Sequence, residues 1–528
     1  MTRSWRSRPS VRRVGGSVGG LVGGRRSSPR LAGSGLDVDR SVPALAFKVG
    51  QYPVHSGGVG VIRTLGRLGV PVYAITEPGL TPAGVSRYCS GRLVWRATGL
   101  ERQDQLVADL REVGRQIGRP SVIVPVDDEA AVLIAEHAAE LSEHFLAPAV
   151  RPGLPRQLAS KSGLFQMCRQ HGVAAPATVT PASLDEAAAF AATASFPVVV
   201  KNAETWDRRR HPVVPGTTVL RSAAELLALV GSAGAAGEFD QGGCGADGGG
   251  GGGASVGGGV RAPGVIVQEY LPPEQAQDWI VQLYCDADSN CAVLFTGRKV
   301  RSWPPHTGVT ACGYSMPNPE LAAMAERFCR EIGFRGIADL DWRLDLRDGQ
   351  YKLVDFNPRS GNQFRLFETD AGVDVVRAMH LNLTGRRVPP GPQVQGRRII
   401  VEHVDLPARL AYRRIRRRAQ PGRPALPGKR GGPAAAGALA AGGSTSRSVS
   451  AGGSVSAGGS VMAGGSVVAG RSAVAQRRSR STELAWLAAD DPLPFLAMLC
   501  RVTGPAVTGL ARMLRQAASK TPTTEPMP

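Results

Sequence analysis

Two stretches of this 528-residue chain set acids, an amide and an arginine at alternating positions: Asp339, Asp341, Arg343 and Asp345, then Asp355, Asn357 and Arg359. Side chains alternate across a strand, so each set shares one face. Between them Arg347-Asp348-Gly349-Gln350 reads as a hairpin turn by its Asp-Gly pair, which lays the two rows side by side. Carboxylates in that position repel unless a cation neutralises them. Asp341, Asp355 and the neutral amide of Asn357 suit one or two magnesium ions that also bind substrate phosphates, with manganese as the alternative ion. A solvated hairpin face would account for a single acid, but is awkward for a D-x-N-x-R row that ends an apolar strand.

Two further charges close apolar strands upstream. Lys201 ends Phe196-Pro-Val-Val-Val200, and a lysine at the end of a buried strand needs an anion, of which a nucleotide phosphate is one candidate. Glu269 ends Val265-Ile-Val-Gln268 and is followed by Tyr270 and Leu271. An acid there can accept from an adenine amino group while the next backbone groups bond the ring. Either residue alone reads as an ordinary solvated strand end; their order and separation from the acid hairpin carry the signal.

The elements that must position these residues follow from periodicity. Ala44 to Val49 and Val70 to Ile75 read as strands around a helix from Val61 to Leu68, with His55-Ser56-Gly57-Gly58-Val59-Gly60 as a turn. That turn lacks the G-x-G-x-x-G spacing, so tight packing is the better reading than a dinucleotide site. A helix from Gln103 to Ile117, a strand from Ser121 to Val126 and a helix from Glu129 to Leu141 continue the alternation, which predicts a parallel sheet covered by helices. Beyond Gly153 the expected elements are helices 158–171, 183–194, 222–230 and 320–332, and strands 177–180, 196–201, 217–221, 265–270, 279–285, 292–299, 337–346, 351–356 and 398–404.

Composition is uneven. Of 67 glycines, 8 fall in residues 1–40, 16 in 231–264 and 13 in 428–470. The run 231–264 has no Gly-Lys-Ser or Gly-Lys-Thr after it, so it reads as a flexible insertion and not a phosphate loop. A six-residue repeat of Ser-Val-x-Ala-Gly-Gly over 448–471 reads as linker. The formal charge of +20 comes from two stretches: nine Arg against two Asp in residues 1–40, and fourteen Lys or Arg without an acid in 409–480. A nucleic-acid enzyme with a basic groove is therefore not expected; the tails are suited only to weak contact with anionic surfaces. The eight cysteines contain no C-x-x-C pair and the histidines no H-x-x-x-H spacing, which argues against zinc or a disulfide framework. No run of about 18 apolar residues is present to span a bilayer. Arg12-Arg13 lacks an apolar stretch behind it, so a cytoplasmic location is expected.

From about Leu45 to Arg398 the sequence resembles the ATP-grasp superfamily, ligases that phosphorylate a carboxylate with ATP and attack the acylphosphate with a nucleophile. The segment Gly297-Arg298-Lys299-Val300-Arg301-Ser302-Trp303-Pro304-Pro305 looks like one in D-aspartate ligase-like carboxylate-amine ligases. The resemblance implies an α/β fold: a Rossmann-like parallel sheet domain, then a two-subdomain ATP-grasp domain. The expected boundaries are a disordered basic segment 1–41, an α/β domain 42–150, the ATP-grasp domain 151–405 with the insertion 231–264, a basic Gly/Ser-rich linker 406–481, and a short helical segment and tail 482–528.

By the same likeness Lys161 and Lys201 are phosphate lysines, Glu269, Tyr270 and Leu271 the adenine hinge, and Asp278 the ribose ligand. Asp341, Asp355 and Asn357 match the magnesium ligands, and Arg359, Lys299 and Arg298 the catalytic cations. Arg301 and Arg365 join Arg298 and Arg359 as candidates for holding carboxylates, since a planar fork matches them bidentately. Ser160 stands before Lys161 where Asp is common, Asp355 replaces the usual Glu, and the loop 202–216 with Arg208-Arg209-Arg210 is not a typical glycine-rich lid. The implied partners are a small carboxylate and an amine, with ATP and magnesium, and a homo-oligomer is compatible with them. The alternative from another class is a nucleotide-binding scaffold or regulator docked through its basic tails.

Overall fold

The computed structural model describes residues 35–95, 101–202, 214, 216–239, 265–419 and 481–504. The basic segment before residue 35, the Arg208-Arg209-Arg210 loop, the poly-glycine run and the six-residue repeats lie outside the described residues. The chain divides into two units, residues 1–412 with 476–528, and residues 413–475.

The amino-terminal part of the first unit alternates strand and helix: β1 (Ala44–Phe47), α1 (Ser56–Gly66), β2 (Val72–Thr76), β3 (Cys89–Val94), α2 (Gln103–Ile117), β4 (Ser121–Pro125), α3 (Asp128–Glu136), α4 (Ala138–Leu141) and β5 (Phe145–Leu146). The strands form the expected parallel sheet in the order β3-β2-β1-β4-β5. β1 is buried throughout and sits at the centre, as the apolar run Ala44-Leu-Ala-Phe47 demands.

The glycines expected to form a turn are instead the first turn of α1. The His55 Nδ1 caps that helix by accepting from Gly58 N at 3.0 Å. A Cβ on Gly60 would meet the Phe364 ring at 2.8 Å and one on Gly57 would lie 3.1 Å from Asn362 Oδ1. These glycines are small because the segment 362–364 packs onto the helix, in keeping with the tight-packing reading.

Helix α5 (Leu154–Ala159) and helix α6 (Lys161–Gln170) replace one expected helix. The break falls at Ser160, whose backbone is extended and whose Oγ accepts from Gly163 N at 3.3 Å. It makes Lys161 the first residue of a new helix. Next comes a four-stranded antiparallel sheet in the order β6-β9-β7-β8, formed by β6 (Thr178–Val179), β7 (Val198–Asn202), β8 (Thr218–Leu220) and β9 (Val265–Glu269). Helices α7 (Leu184–Thr193) and α8 (Ala223–Phe239) accompany it, and its core gathers Val198, Val200, Leu226, Val265 and Val267. α8 runs nine residues beyond the expected end at Val230.

The remaining strands form a seven-stranded sheet in the order β14-β13-β10-β11-β12-β15-β16. They are β10 (Ala276–Cys285), β11 (Cys291–Trp303), β12 (Val309–Ser315), β13 (Gly336–Asp345), β14 (Tyr351–Asn357), β15 (Arg398–Ile400) and β16 (Thr482–Leu484), with α9 (Pro319–Glu331) and α10 (Val375–Leu383) among them. β12 was not expected from the sequence. One face of this sheet packs Trp279, Trp342 and Phe356 with α9 residues, while Ile280, Tyr284 and Phe295 join the core shared with the parallel sheet and α10.

The expected strand 398–404 stops at Ile400, because helix α11 (Glu402–Ala419) starts there with Glu402 and Asp405 in its first turn. Acids are favoured at that positive helix end, and the basic run Arg413–Arg417 lies on this helix. The carboxy-terminal residues return as β16, parallel to β15, and residues 493–504 are helical. This segment docks on the core, anchored by fully buried Trp486. Among the described residues no helix is long and apolar enough to cross a membrane.

Candidate active site

Most of the chemistry-bearing residues line one cleft of about 860 Å³, counted out to its open mouth; Lys161, Asn357 and Arg359 stand outside its lining, with Lys161 against Asp355. The four-stranded sheet contributes Lys201, Gln268 and Glu269; the seven-stranded sheet contributes Asp278, Lys299, Asp341, Arg343 and Asp355. Lys201 and Gln268 lie on the face of their sheet opposite the core residues Val198, Val200, Val265 and Val267, and Asp341 and Arg343 alternate with the core residues Leu340 and Trp342, whereas Glu269, in phase with Val265 and Val267, reaches the cleft from the end of β9. Tyr270 and Leu271 line the same space just beyond β9.

Strands β13 and β14 place Asp339 opposite Asn357 and Asp341 opposite Asp355. A bulge follows Asp341, so Trp342 faces Leu353 and Arg343 faces Lys352. The hairpin therefore delivers the acid row as the spacing predicted, and the bulge adds Lys352 to the cleft side, where strict alternation would turn it away.

Each of the two central acids holds a lysine. Lys299 Nζ lies 2.8 Å from Asp341, and Lys161, at the start of α6, reaches Asp355 from the other side. Burial alone would raise the Asp355 carboxyl, but Lys161, Lys201 and Arg359 outweigh it and keep it below its ordinary value. Burial pulls Lys299 down, and Asp341 more than reverses this. Lys201 donates to Gln268 Oε1 at 3.0 Å rather than to an acid. Burial, reinforced by Lys161, lowers it to about 8, which is the state of a cation awaiting an anion.

Arg359 is held on all sides. Its Nη1 lies 3.2 Å from Asp339 Oδ2, its Nη2 3.0 Å from Asn357 Oδ1 and its Nε 3.2 Å from Asp128 Oδ1. Asp339 also accepts from Gln282 at 2.7 Å and Gln363 at 2.9 Å. Burial pushes Asp339 up to about 7; Arg359 pulls against this, and Asp341 adds to it.

The residues present fit a magnesium ion. Among the described residues no three His, Cys, Asp or Glu side chains gather to hold a metal by themselves; Asp341, Asp355 and the Asn357 amide oxygen could hold one together with substrate oxygens, a mode common for magnesium. Asp341 Oδ1 is buried with no aligned hydrogen bond, although Lys299 Nζ is near it. Such an oxygen suits a cation.

Not every expected residue reaches the cleft. Arg298 alternates with Lys299 on β11 and points to the opposite face, where it donates to Gln277 Oε1 at 2.7 Å and lies over the Trp279 ring at 5.0 Å. Arg301 is bound by Asp405 at 2.7 Å. Arg365 is bound by Glu483 at 3.0 Å. Asp278 lines the cleft, but Arg343 takes its carboxylate at 2.6 Å. Glu269 lines it too, with Arg347 in contact and Lys352 at 3.6 Å. Arg343 is the residue whose importance the sequence understated: besides Asp278 it donates to the carbonyls of Leu271 at 3.2 Å and His306 at 2.9 Å, joining the hinge, the ribose candidate and the 302–308 loop. Its place in the alternating row was the available signal.

No protein-family model matches the sequence. The chain is similar to D-aspartate ligase of Enterococcus faecium (strain Aus0004), 22% identical over 272 residues, 48% of this chain and 57% of that one. The chain thus spans little more than half the length of this curated relative. Among solved structures it resembles an L-amino acid ligase from Bacillus licheniformis, with a TM-score of 0.45, 16% identity and coverage of 66% of this chain and 78% of the other. It also resembles the biotin carboxylase domain of the Hydrogenobacter thermophilus 2-oxoglutarate carboxylase, with a TM-score of 0.47, 15% identity and coverage of 66% and 70%. The sequence likeness to carboxylate-amine ligases read from residues 297–305 accords with the first of these similarities.

Proposed function

We propose that this protein is an ATP-dependent ligase that activates a carboxylate as its acylphosphate and joins it to an amine, releasing ADP and phosphate. The observation that carries this reading is the facing pair Asp341 and Asp355, with Asn357 and Arg359 on the same row and Lys161, Lys201 and Lys299 converging on it. Three lysines and an arginine around two acids match a triphosphate that arrives with its metal. The similarity to D-aspartate ligase supports the class of bond formed.

In this reading Glu269, Tyr270 and Leu271 receive the adenine and Asp278 the ribose, with Arg343 exchanging Asp278 for the sugar. Asp341, Asp355 and Asn357 hold magnesium, which when bound offsets phosphate charge. Lys161 and Lys201 then leave their resting partners for phosphate oxygens. Arg359 and Lys299 steady the transferring group while a carboxylate oxygen attacks the γ-phosphorus and ADP departs. The amine next attacks the acyl carbon, loses a proton and expels phosphate. The protein supplies positioning and charge, and little covalent chemistry. Excluding water protects the acylphosphate from hydrolysis.

The test is a pooled screen. Pooled carboxylates, ATP, magnesium and hydroxylamine in place of the natural amine should yield a hydroxamate together with ADP, because hydroxylamine captures activated acyl groups. Nucleotide binding without carboxylate-dependent ADP would favour the scaffold reading, and conversion of ATP directly to AMP would contradict phosphoryl transfer.

A further inference from the structure

The guanidinium of Arg359 is gripped from the elements of two sheets. Asp339 on β13 and Asn357 on β14 hold its Nη atoms, but the acid beside its Nε is Asp128, the first residue of α3 in the parallel-sheet domain, 3.2 Å away. No sequence pattern singles out Asp128, which lies 231 positions before Arg359.

Its position is closely determined. β4 ends at Pro125, and Asp127 caps α3 by accepting from Ala130 N at 2.9 Å. The same carboxylate accepts from Val49 N at 3.0 Å and Gly50 N at 2.8 Å, tying the loop after β1 to the α3 start. Asp128 therefore stands on two anchored strands.

The chain around Arg359 is stitched to this domain on its other side as well. Ser360 donates from both N and Oγ to the Pro125 carbonyl at 3.2 Å, and Asn362 Oδ1 accepts from Gly57 N at 3.0 Å. A Cβ on Gly361 would collide with Asp339 Oδ2, so the backbone passes against that acid with no room for a side chain. Backbone and side chain of Arg359 are thus fixed by the same corner of the parallel sheet. Asp128 Oδ1 makes no aligned hydrogen bond despite its closeness; its hold on Arg359 is a charge contact, added to the hydrogen bonds that Arg359 makes to Asp339 and Asn357.

We propose that Asp128 is a positioning residue for the ligase reaction: through Arg359, the parallel-sheet domain sets the site that steadies the transferring phosphoryl group. This rests on the function proposed above. Asp128 acts through Arg359 and touches neither nucleotide nor acyl group.

The experiment compares Asp128→Asn and Asp128→Glu with wild type in carboxylate-dependent ADP formation. It repeats Asp128→Asn in an Arg359→Lys background. Misplacing a catalytic group by about 1 Å costs on the order of a hundredfold, so Asp128→Asn should lower kcat about tenfold to a hundredfold. The KM for ATP should stay within about twofold of wild type, because the hinge and the phosphate lysines are untouched. Asp128→Glu should recover part of the loss, and Asp128→Asn should cost little more once Arg359 is lysine, as expected for residues acting as a unit. Wild-type kcat in Asp128→Asn, or the same fractional loss in both backgrounds, would overturn the proposal.

A second readout does not depend on turnover. In protein labelled with ¹⁵N-arginine, the Nε–H resonance that vanishes in Arg359→Lys should shift or broaden in Asp128→Asn. An unchanged resonance would overturn the positioning role. Failure of wild type to form carboxylate-dependent ADP would instead sink the ligase reading and leave this resonance to decide whether Asp128 orients Arg359.

Discussion

Asp341 and Asp355 face each other directly across two antiparallel strands, and each is neutralised by a lysine from a different part of the chain, Lys299 from β11 and Lys161 from the first turn of α6. Opposed acids of like charge destabilise a strand pair. Both acids line the cleft with a lysine against each, and the proposed exchange of these lysines for phosphate and metal on binding rests on that arrangement.

Asp341→Asn or Asp355→Asn should therefore abolish magnesium-dependent ADP formation while the fold persists. Each removes one of the two negative charges a cation would use. Each also leaves a mostly buried lysine, Lys299 or Lys161, without its acid, so the melting temperature should fall while circular dichroism remains that of the folded protein. Chelating magnesium should stop wild-type turnover in the same assay. Turnover near wild type in either variant would exclude the pair from the metal site.

Lys201 leads to a pH-dependent prediction. Burial holds it at about 8, below the ordinary lysine value of 10.5, and only its charged form attracts phosphate. Affinity for ATP should be greatest below pH 8 and weaken as the pH rises through 8, as followed by the Kd from nucleotide fluorescence. Lys201→Ala should lose about tenfold to a hundredfold in affinity at pH 7, the equivalent of one charged hydrogen bond, and should flatten that pH dependence. The linkage to stability has the opposite sign. Between about 8 and 10.5 the unfolded chain holds the proton more tightly than the folded one, so the Lys201 contribution to stability rises with pH over that window.

The acid row was legible in the sequence because alternation and an Asp-Gly turn are local signals. Gly349 adopts the expected left-handed conformation at φ 73°, and the register follows. Lys201 and Glu269 were legible for a similar reason, each ending an apolar run. What local signals miss is whatever depends on distant pairing. The bulge after Asp341, which turns Lys352 inward, depends on how β14 meets β13 and leaves no mark in either strand alone. Arg298 and Lys299 are adjacent cations of similar promise in the sequence, and only the pairing of β11 with β10, Arg298 opposite Trp279, decides which one faces the cleft. Ser160 ended a helix that apolar periodicity carried through, because an N-cap serine competes for the backbone from inside the run.

The carboxy-terminal segment yields a stability prediction. Arg63 on α1 and Asp491 are both buried, with Nε 2.9 Å from Oδ2, and Arg63 also donates to the carbonyls of Ala485 and Trp486. Removing one partner of a buried pair typically costs about 3–5 kcal/mol. Asp491→Asn should lower the unfolding free energy by about 3 kcal/mol, the lower end of that range, because three carbonyls still receive the guanidinium. The denaturant midpoint measures this. An unchanged midpoint would mean that the segment docks without contributing to stability.

The glycine-rich insertion can be shortened. α8 extends to Phe239, so an excision must begin later than the sequence alone suggested. Replacing residues 242–260 with a short Gly-Ser connector changes only closure entropy if the run is linker, at roughly 0.6 kcal/mol for each doubling of length. The KM for ATP and the turnover should then stay within about threefold. A hundredfold loss in a folded variant would make these glycines part of the nucleotide site.

The most direct test of the strand register separates Arg298 from Lys299. Lys299 lies on the cleft side of β11 against Asp341, whereas Arg298 lies behind the sheet over Trp279. Lys299→Ala strips a buried cation from an acid that is itself needed, so turnover should fall by about a hundredfold or more. Arg298→Ala removes one stacking contact, worth about 0.5–2 kcal/mol of stability, and two hydrogen bonds, to Gln277 Oε1 and to the Asp278 carbonyl; turnover should remain within about threefold of wild type once the protein is assayed below its melting temperature. If the two substitutions had equal effects on turnover, the alternation of β11 would be wrong or both cations would act on the substrate. Were Arg298→Ala the more damaging of the two, the cleft-facing side of the strand would have to be reassigned, and with it the assignment of Lys299 as partner of Asp341.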